Sequence, residues 1–190
     1  MLSPVPVYRA RSTGFSLIEL MIAVIIIGIV LSMSISSYRT WIQNTKIRAT
    51  AESIQNGLQL ARSEAIKRNT MVQFNFRERA AWTVCVRPVI PGPCPNPDDA
   101  TTIQSRMEKE GGSEDIVVTP TPSGTRVTFS NFGRVDNSST GPDPFTSLDI
   151  DNTLLTGSDK RNLRILLSSG GNTRMCDPKF SYPSDPKGCP

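Results

Sequence analysis

Residues 14–35 read GFSLIELMIAVIIIGIVLSMSI, and from Leu20 to Leu31 every residue is apolar or is Gly28. Arg9 and Arg11 precede this stretch, and the next basic residue is Arg39. Residues 15–35 number 21. A helix of that length rises about 30 Å, the thickness of a hydrocarbon core. The basic flank places the N-terminus on the cytoplasmic side of such a membrane. Glu19 breaks the pattern, because an isolated carboxylate at a bilayer centre costs roughly 2.5–3.5 kcal/mol. It needs a compensating charge. A cut between Gly14 and Phe15 supplies one, since Glu19 then lies one helical turn from a new α-amino group, on its own chain or on a neighbour packed beside it. A secretory signal peptide cut near Ser32 or Ser34 is the competing reading, as is an ordinary single-pass anchor. Neither gives Glu19 a role.

Gly14-Phe15-Ser16-Leu17-Ile18-Glu19 resembles, position by position, the processing motif of the type IV pilin and type II secretion pseudopilin superfamily. The resemblance implies that a prepilin peptidase cleaves after Gly14 and methylates Phe15. It also implies that Glu19 guides docking of subunits into a helical filament.

Past Ile35 the sequence turns polar, but no proline and only Gly57 occur before Asn69. Ile47, Ala51, Ile54, Leu58, Ala61 and Ala65 recur at intervals of 4, 3, 4, 3 and 4. That is a single apolar stripe on a helix, with Arg48, Glu52, Gln55, Gln59, Arg62 and Lys67 around the rest of its circumference. A helix from Phe15 to Lys67 would approach 80 Å. Three of the six stripe positions are alanine, which favours packing against a sheet over a self-associating coiled coil.

Beyond Asn69 short runs rich in β-formers at 71–76, 81–86, 116–119, 126–130 and 163–168 predict strands. Clusters of Pro, Gly, Asn and Asp at 88–97, 111–112, 136–144 and 170–172 predict the turns between them, and the fifteen prolines suit so turn-rich a region. The expected fold is α+β: a long N-terminal helix, its first half transmembrane, packed against an antiparallel β-sheet head. The expected organisation is a leader over 1–14, a transmembrane or filament-core helix over 15–35, an amphipathic continuation over 36–69, and a β-rich head over 70–190 closed by a C-terminal disulfide loop.

Cys85, Cys94, Cys176 and Cys189 make an even set behind an export-type N-terminus, which favours disulfides. Three pairings exist on paper. The local ones, Cys85 with Cys94 and Cys176 with Cys189, are favoured because each closes a loop containing proline and glycine. The spacings do not match the paired C-x2-C of zinc ribbons, so no metal is expected. Asp149-Ile150-Asp151-Asn152 lacks the glycine and distal glutamate of a calcium loop and reads as polar strand or turn. Asn137-Ser138-Ser139 fits a glycosylation sequon inside a Ser-rich loop.

The chain has no histidine, which excludes His-based triads, His-metal sites and the side chain best suited to proton transfer near neutrality. No enzyme and no cofactor are expected. The formal charge of +4 includes Arg9 and Arg11 of the leader, so processing leaves the chain nearly balanced.

Leu60-Ala61-Arg62-Ser63-Glu64-Ala65, then Trp82 in the second strand, then Phe129-Ser130-Asn131-Phe132-Gly133-Arg134, follow the order of the FimT/GspH branch of the superfamily. The two cysteine pairs and Arg174-Met175-Cys176-Asp177-Pro178 resemble its FimT/FimU-type minor pilins. That resemblance implies a minor type IV pilin of the inner membrane and then of the pilus at the cell surface, its head periplasmic before assembly. The resemblance further implies a place near the pilus tip and a role in pilus biogenesis and twitching motility, with DNA uptake as a further role of some members. Implied partners are the prepilin peptidase, other minor and major pilins, the assembly platform in the inner membrane, and membrane lipid before assembly. An H-type minor pseudopilin of type II secretion is the alternative. Some FimT-type pilins bind DNA through a C-terminal Gly-Arg-x-Arg element. Here the matching stretch is Gly170-Gly171-Asn172-Thr173-Arg174, and Arg174 alone corresponds. The segment around it is modestly basic, with Lys160, Arg161, Arg164, Arg174, Lys179 and Lys187 against Asp159, Asp177 and Asp185.

Overall fold

A computed structural model describes residues 14–77, 80–90, 92–107, 115–136, 144–157 and 160–190, with backbone alone at 33–36. Residues 1–13 of the leader, the Gly111-Gly112 turn and the Asn137 sequon lie outside the described residues. The chain divides into two compact units, Met1–Arg39 and Thr40–Pro190.

Helix α1, Leu17–Arg68, begins in the first unit and ends in the second. In the first unit it carries the apolar run. In the second it carries the stripe, and all six stripe residues are fully buried. Helix α1 ends where the sequence stops supporting it: Asn69 takes φ 49°, a left-handed value that asparagine tolerates, and the Asn69 and Thr70 amides bond back to the Ile66 and Ala65 carbonyls.

Among the described residues nine strands follow: β1 Val72–Phe76, β2 Trp82–Val86, β3 Thr102–Arg106, β4 Ile116–Thr121, β5 Arg126–Phe129, β6 Ser147–Asn152, β7 Leu163–Leu167, β8 Thr173–Ser181 and β9 Gly188–Cys189. The sheet expected over the stripe is divided in two. One has the order β3-β2-β1-β5 and the other β4-β6-β7-β8-β9. All pairings are antiparallel except β8 with β9, which run parallel because the chain crosses back through the disulfide-closed C-terminal loop.

Both sheets contribute to one core. Val72, Phe74, Val84, Val127 and Phe129 from the first, and Ile116, Leu148, Ile150, Ile165 and Leu167 from the second, cluster with the stripe. Phe145 joins them and meets Phe74 edge-on at 6.3 Å. Residues that alternate with these in the first sheet face the other way. Gln73 stands in register with Cys85 and with Thr128, and all three are buried although two are polar. The loop closed by Cys85–Cys94 covers them, and Gln73 Nε2 donates to the Gly92 carbonyl at 3.0 Å. The first sheet is therefore covered by the core on one face and by a disulfide loop on the other.

The stretch 149–152 lies in β6. Asp149 is directly opposite Arg164 on β7, and their side chains form a two-pronged pair at 2.6 and 3.0 Å. Asp151 pairs with Lys160 at 2.6 Å. Asp149 is thus a cross-strand ion-pair partner, and Asp151 pairs with a lysine of the loop that leads into β7.

Candidate functional site

The N-terminal element has its own geometry. Gly14 has open space around its Cα, and Phe15 is 85% exposed. The Ser16 carbonyl accepts the Leu20 amide at 3.2 Å, so the helix is established by Ser16 and Glu19 stands in its first turn. Bare amides at a helix N-terminus favour a carboxylate there. From Leu17 to Leu31 every large apolar side chain is more than half exposed. Taking those surfaces out of water is worth on the order of 10 kcal/mol, so the run demands an apolar medium or a protein partner. Taken alone, no helical segment among the described residues meets the length and hydropathy of a membrane span. The segments Leu17–Ser32 and Ser37–Arg68 meet it as a pair. Phe15 still carries an ordinary peptide nitrogen in the uncut chain, so the amine that Glu19 would answer does not yet exist.

In the second unit the motif residues of the helix and of the strand turn come together. Arg62 Nε donates to the Gly133 carbonyl at 3.1 Å, and its terminal nitrogen donates to Asn172 Oδ1 at 2.8 Å. One helix residue thus fastens two turns, the Gly-Arg turn after β5 and the turn between β7 and β8. The turns are pressed against each other: a Cβ on Gly171 would collide with the Gly133 carbonyl oxygen, and both glycines have positive φ, 79° and 72°. Only glycine suits both demands. Asn131 Nδ2 adds a bond to Asn69 Oδ1 at 3.1 Å. Glu64, almost fully buried, is held below its ordinary pKa by the Arg68 guanidinium bonded at 2.6 Å. Desolvation opposes this, and Lys67 reinforces it.

We expect Arg62→Ala to lower stability by about 1.5–3 kcal/mol, since hydrogen bonds to a charged donor are worth that much. Thermal melting of the detergent-solubilised chain should show a fall of roughly 3–12 °C. A shift of less than a degree would contradict the fastening role.

Trp82 stacks on Phe74 with ring centroids 5.9 Å apart and donates its Nε1 proton to Ser53 Oγ at 3.0 Å. Both rings crowd against Gly57, where a Cβ would lie 2.8 Å from Phe74 Cε2 and 3.1 Å from Trp82 Cδ2. The sequence marked Arg62, Gly133 and Trp82 as motif residues without their partners. Gly57 stands in the sequence as the lone glycine of a long helical pattern with no role assigned to it, although such a glycine is itself a signal of close approach.

All four cysteines are paired. Cys85 bonds Cys94 with Cα atoms 5.7 Å apart, and Cys176 bonds Cys189 at 5.1 Å. Each closure of a loop this size contributes roughly 2–4 kcal/mol. Arg174 serves the second loop. Its guanidinium donates to the Pro186 carbonyl at 3.0 Å and to that of Gly188 at 3.5 Å, and lies over the Tyr182 ring at 5.3 Å.

Residues 50–171 match the family model described as type II transport protein GspH, and residues 9–35 match that of the prokaryotic N-terminal methylation motif. Among solved structures, the chain is similar to the type IV minor pilin FimU of Pseudomonas aeruginosa. The TM-score is 0.52 and the identity 12%, covering 71% of this chain and 91% of that one. The minor pseudopilin EpsH of the type 2 secretion system of Vibrio cholerae gives a TM-score of 0.48 and 18% identity, covering 71% and 99%. GspH of E. coli gives 0.48 and 21%, covering 74% and 94%. The comparison with curated proteins found no match.

Proposed function

The chain belongs to the GspH family of pilin-like structural subunits, which are not enzymes, and from that premise we propose that it serves as a minor type IV pilin. In this reading it inserts in the inner membrane with its N-terminus cytoplasmic and its head periplasmic. A prepilin peptidase cuts after Gly14 and methylates Phe15, and the chain then joins other minor and major pilins near the pilus tip, supporting biogenesis and twitching motility. The observation that carries the reading is the methylation motif over 9–35 leading into an apolar helix whose side chains lie exposed. The pilus is preferred over a secretion pseudopilus because the two cysteine pairs and Arg174-Met175-Cys176-Asp177-Pro178 resemble those of FimT/FimU-type minor pilins, and both pairs are closed as disulfides.

Mass spectrometry of the mature N-terminus tests the processing: methylated Phe15 is the expected result, and an intact leader or a terminus near Ser34 would sink the proposal. Deleting the gene should abolish twitching and leave protein secretion untouched. The reverse outcome would favour the second reading, an H-type minor pseudopilin, which has the matching family's own description on its side. A DNA-binding role in uptake is disfavoured, since one terminal nitrogen of Arg174 is turned to two backbone carbonyls of the C-terminal loop and its guanidinium lies over the Tyr182 ring. A gel-shift titration in which Arg174→Ala abolishes binding would restore it.

A further inference from the structure

Within the second unit, large apolar side chains stand exposed at the end of the head where α1 stops. Ile66 is 51% exposed and Phe132 78%. A Cβ on Gly133 would lie 2.7 Å from Ile66 Cδ1, so the Ile66 side chain rests against the turn that carries Phe132. The bond from Asn131 Nδ2 to Asn69 Oδ1 holds that turn to the helix end. Met71 follows, more than a third exposed, and Arg87 reaches it twice, through its amide to the Met71 carbonyl and through its guanidinium to the sulfur at 2.9 Å. Two residues beyond Arg87 the loop closed by Cys85–Cys94 presents Val89 and Ile90, both almost wholly exposed. Exposed apolar side chains gathered in this way mark an interaction site. Hydrogen bonds and a disulfide already hold the turns that carry them, so docking costs little further ordering.

The charges at this end are mostly of one sign. Arg62, Lys67, Arg68, Arg87 and Arg134 stand on the last turns of α1, after β2 and in the turn after β5, against the carboxylates Glu64 and Asp136. Five against two leaves +3, well above the half negative charge of a helix C-terminus. Both carboxylates are mostly buried and already answered, Glu64 by Arg68 and Lys67 and Asp136 by Arg87. Lys67 and Arg134 are exposed. The exposed Asp98 and Asp99 precede β3, two strand positions from β1 and so about 10 Å to the side. Asn69, Ser168 and Ser169 add exposed neutral hydrogen-bonding groups at the same end. An apolar centre with a positive rim fits a protein surface whose own centre is apolar and whose rim carries carboxylates. A bilayer supplies anions too, but its hydrocarbon leaves the asparagine and serine groups without partners.

We propose that this end of the head docks the head of another processed subunit, Ile66 and Phe132 meeting its apolar centre and Lys67 and Arg134 meeting carboxylates around it. This rests on the pilin reading given above.

The test places the photo-reactive residue p-benzoylphenylalanine at position 132 of the full chain, in cells that assemble the filament. Irradiation is expected to join residue 132 to a head peptide of a different processed subunit, and that peptide should carry two or more Asp or Glu residues. Arg134→Glu should cut the yield of this adduct about fivefold, since a rim charge of the wrong sign repels the partner, whereas Arg134→Lys should keep it. No adduct, an adduct with lipid, with a second copy of this chain or with a peptide lacking carboxylates would each overturn the docking surface. So would an equal yield from the same photo-reactive residue at Thr119, exposed on the second sheet, or Arg134 variants that both keep or both lose the adduct. The N-terminal mass separates the premises: an intact leader overturns the pilin reading and the docking together, and a processed chain without the adduct overturns only the docking.

Discussion

Gly57→Val should cost the protein about 3 kcal/mol or more, seen as a fall of roughly 6–12 °C in the melting temperature of the detergent-solubilised chain. Two effects of opposite sign compete. Removing a glycine from a helix interior gains up to about 1 kcal/mol, although a β-branched replacement keeps only part of that. Overpacking costs 1–3 kcal/mol or more, and its size depends on whether the neighbours can give way. Here they cannot. Phe74 is fully buried, stacked on Trp82 and edge-on to Phe145, and Trp82 is tied to Ser53. The first atom added already lies 2.8 Å from a ring carbon, and valine's two methyls reach further. Gly28→Ala is the natural control, because a Cβ there meets nothing within 4 Å. An unchanged melt for Gly57→Val would mean that the helix does not approach the first sheet as closely as the rings require.

The contrast between Gly57 and the stripe shows what a hydropathy pattern can and cannot carry. Ile47, Ala51, Ile54, Leu58, Ala61 and Ala65 were legible because burial on a helix imposes a 3.6-residue period on residue type, and all six are sealed in the core. Gly57 lies beside Leu58 and is buried too, yet glycine contributes no hydropathy, so its role as the point of closest approach has no period to betray it. The strands divide in the same way. Expected runs at 71–76, 81–86 and 163–168 match β1, β2 and β7 to within a residue at each end, because buried strands need β-formers. Strands β3, with Thr-Ile-Gln-Ser-Arg, and β8, with Asp177-Pro178-Lys179 inside it, gave no such signal. β3 sits at a sheet edge, and β8 is held by its pairing with β7 and by the Cys176–Cys189 link more than by apolar burial.

At the N-terminus the position is reversed, since the motif was legible in full while its chemistry lies in states beyond a single uncut chain. Arg62 presents the opposite case: its motif was visible, but fastening the Gly133 and Asn172 turns joins residues 71 and 110 positions apart. No local pattern encodes a bond of that span.

Glu19→Ala is expected to leave cleavage after Gly14 and methylation of Phe15 intact, yet to reduce incorporation into sheared pili at least tenfold. The argument compares the substitution in two states. In the membrane, an unpaired Glu19 costs up to roughly 2.5–3.5 kcal/mol, the value for a charge at the bilayer centre, so alanine removes a penalty and makes that state more comfortable. In the filament, the proposed partner of Glu19 is the α-amine of a processed Phe15. Alanine there leaves a buried cation unanswered, a change that costs 3–5 kcal/mol when one member of a buried pair is removed. Both effects favour the membrane state. Since 1.4 kcal/mol is a factor of ten, a tenfold loss is the lower bound even after solvent relaxation removes most of the combined energy. Immunoblots of the sheared and membrane fractions, read beside the N-terminal mass, give the answer. Correct processing with undiminished incorporation would remove the charge pairing from the account and leave apolar packing of residues 15–35 as the driving force for assembly.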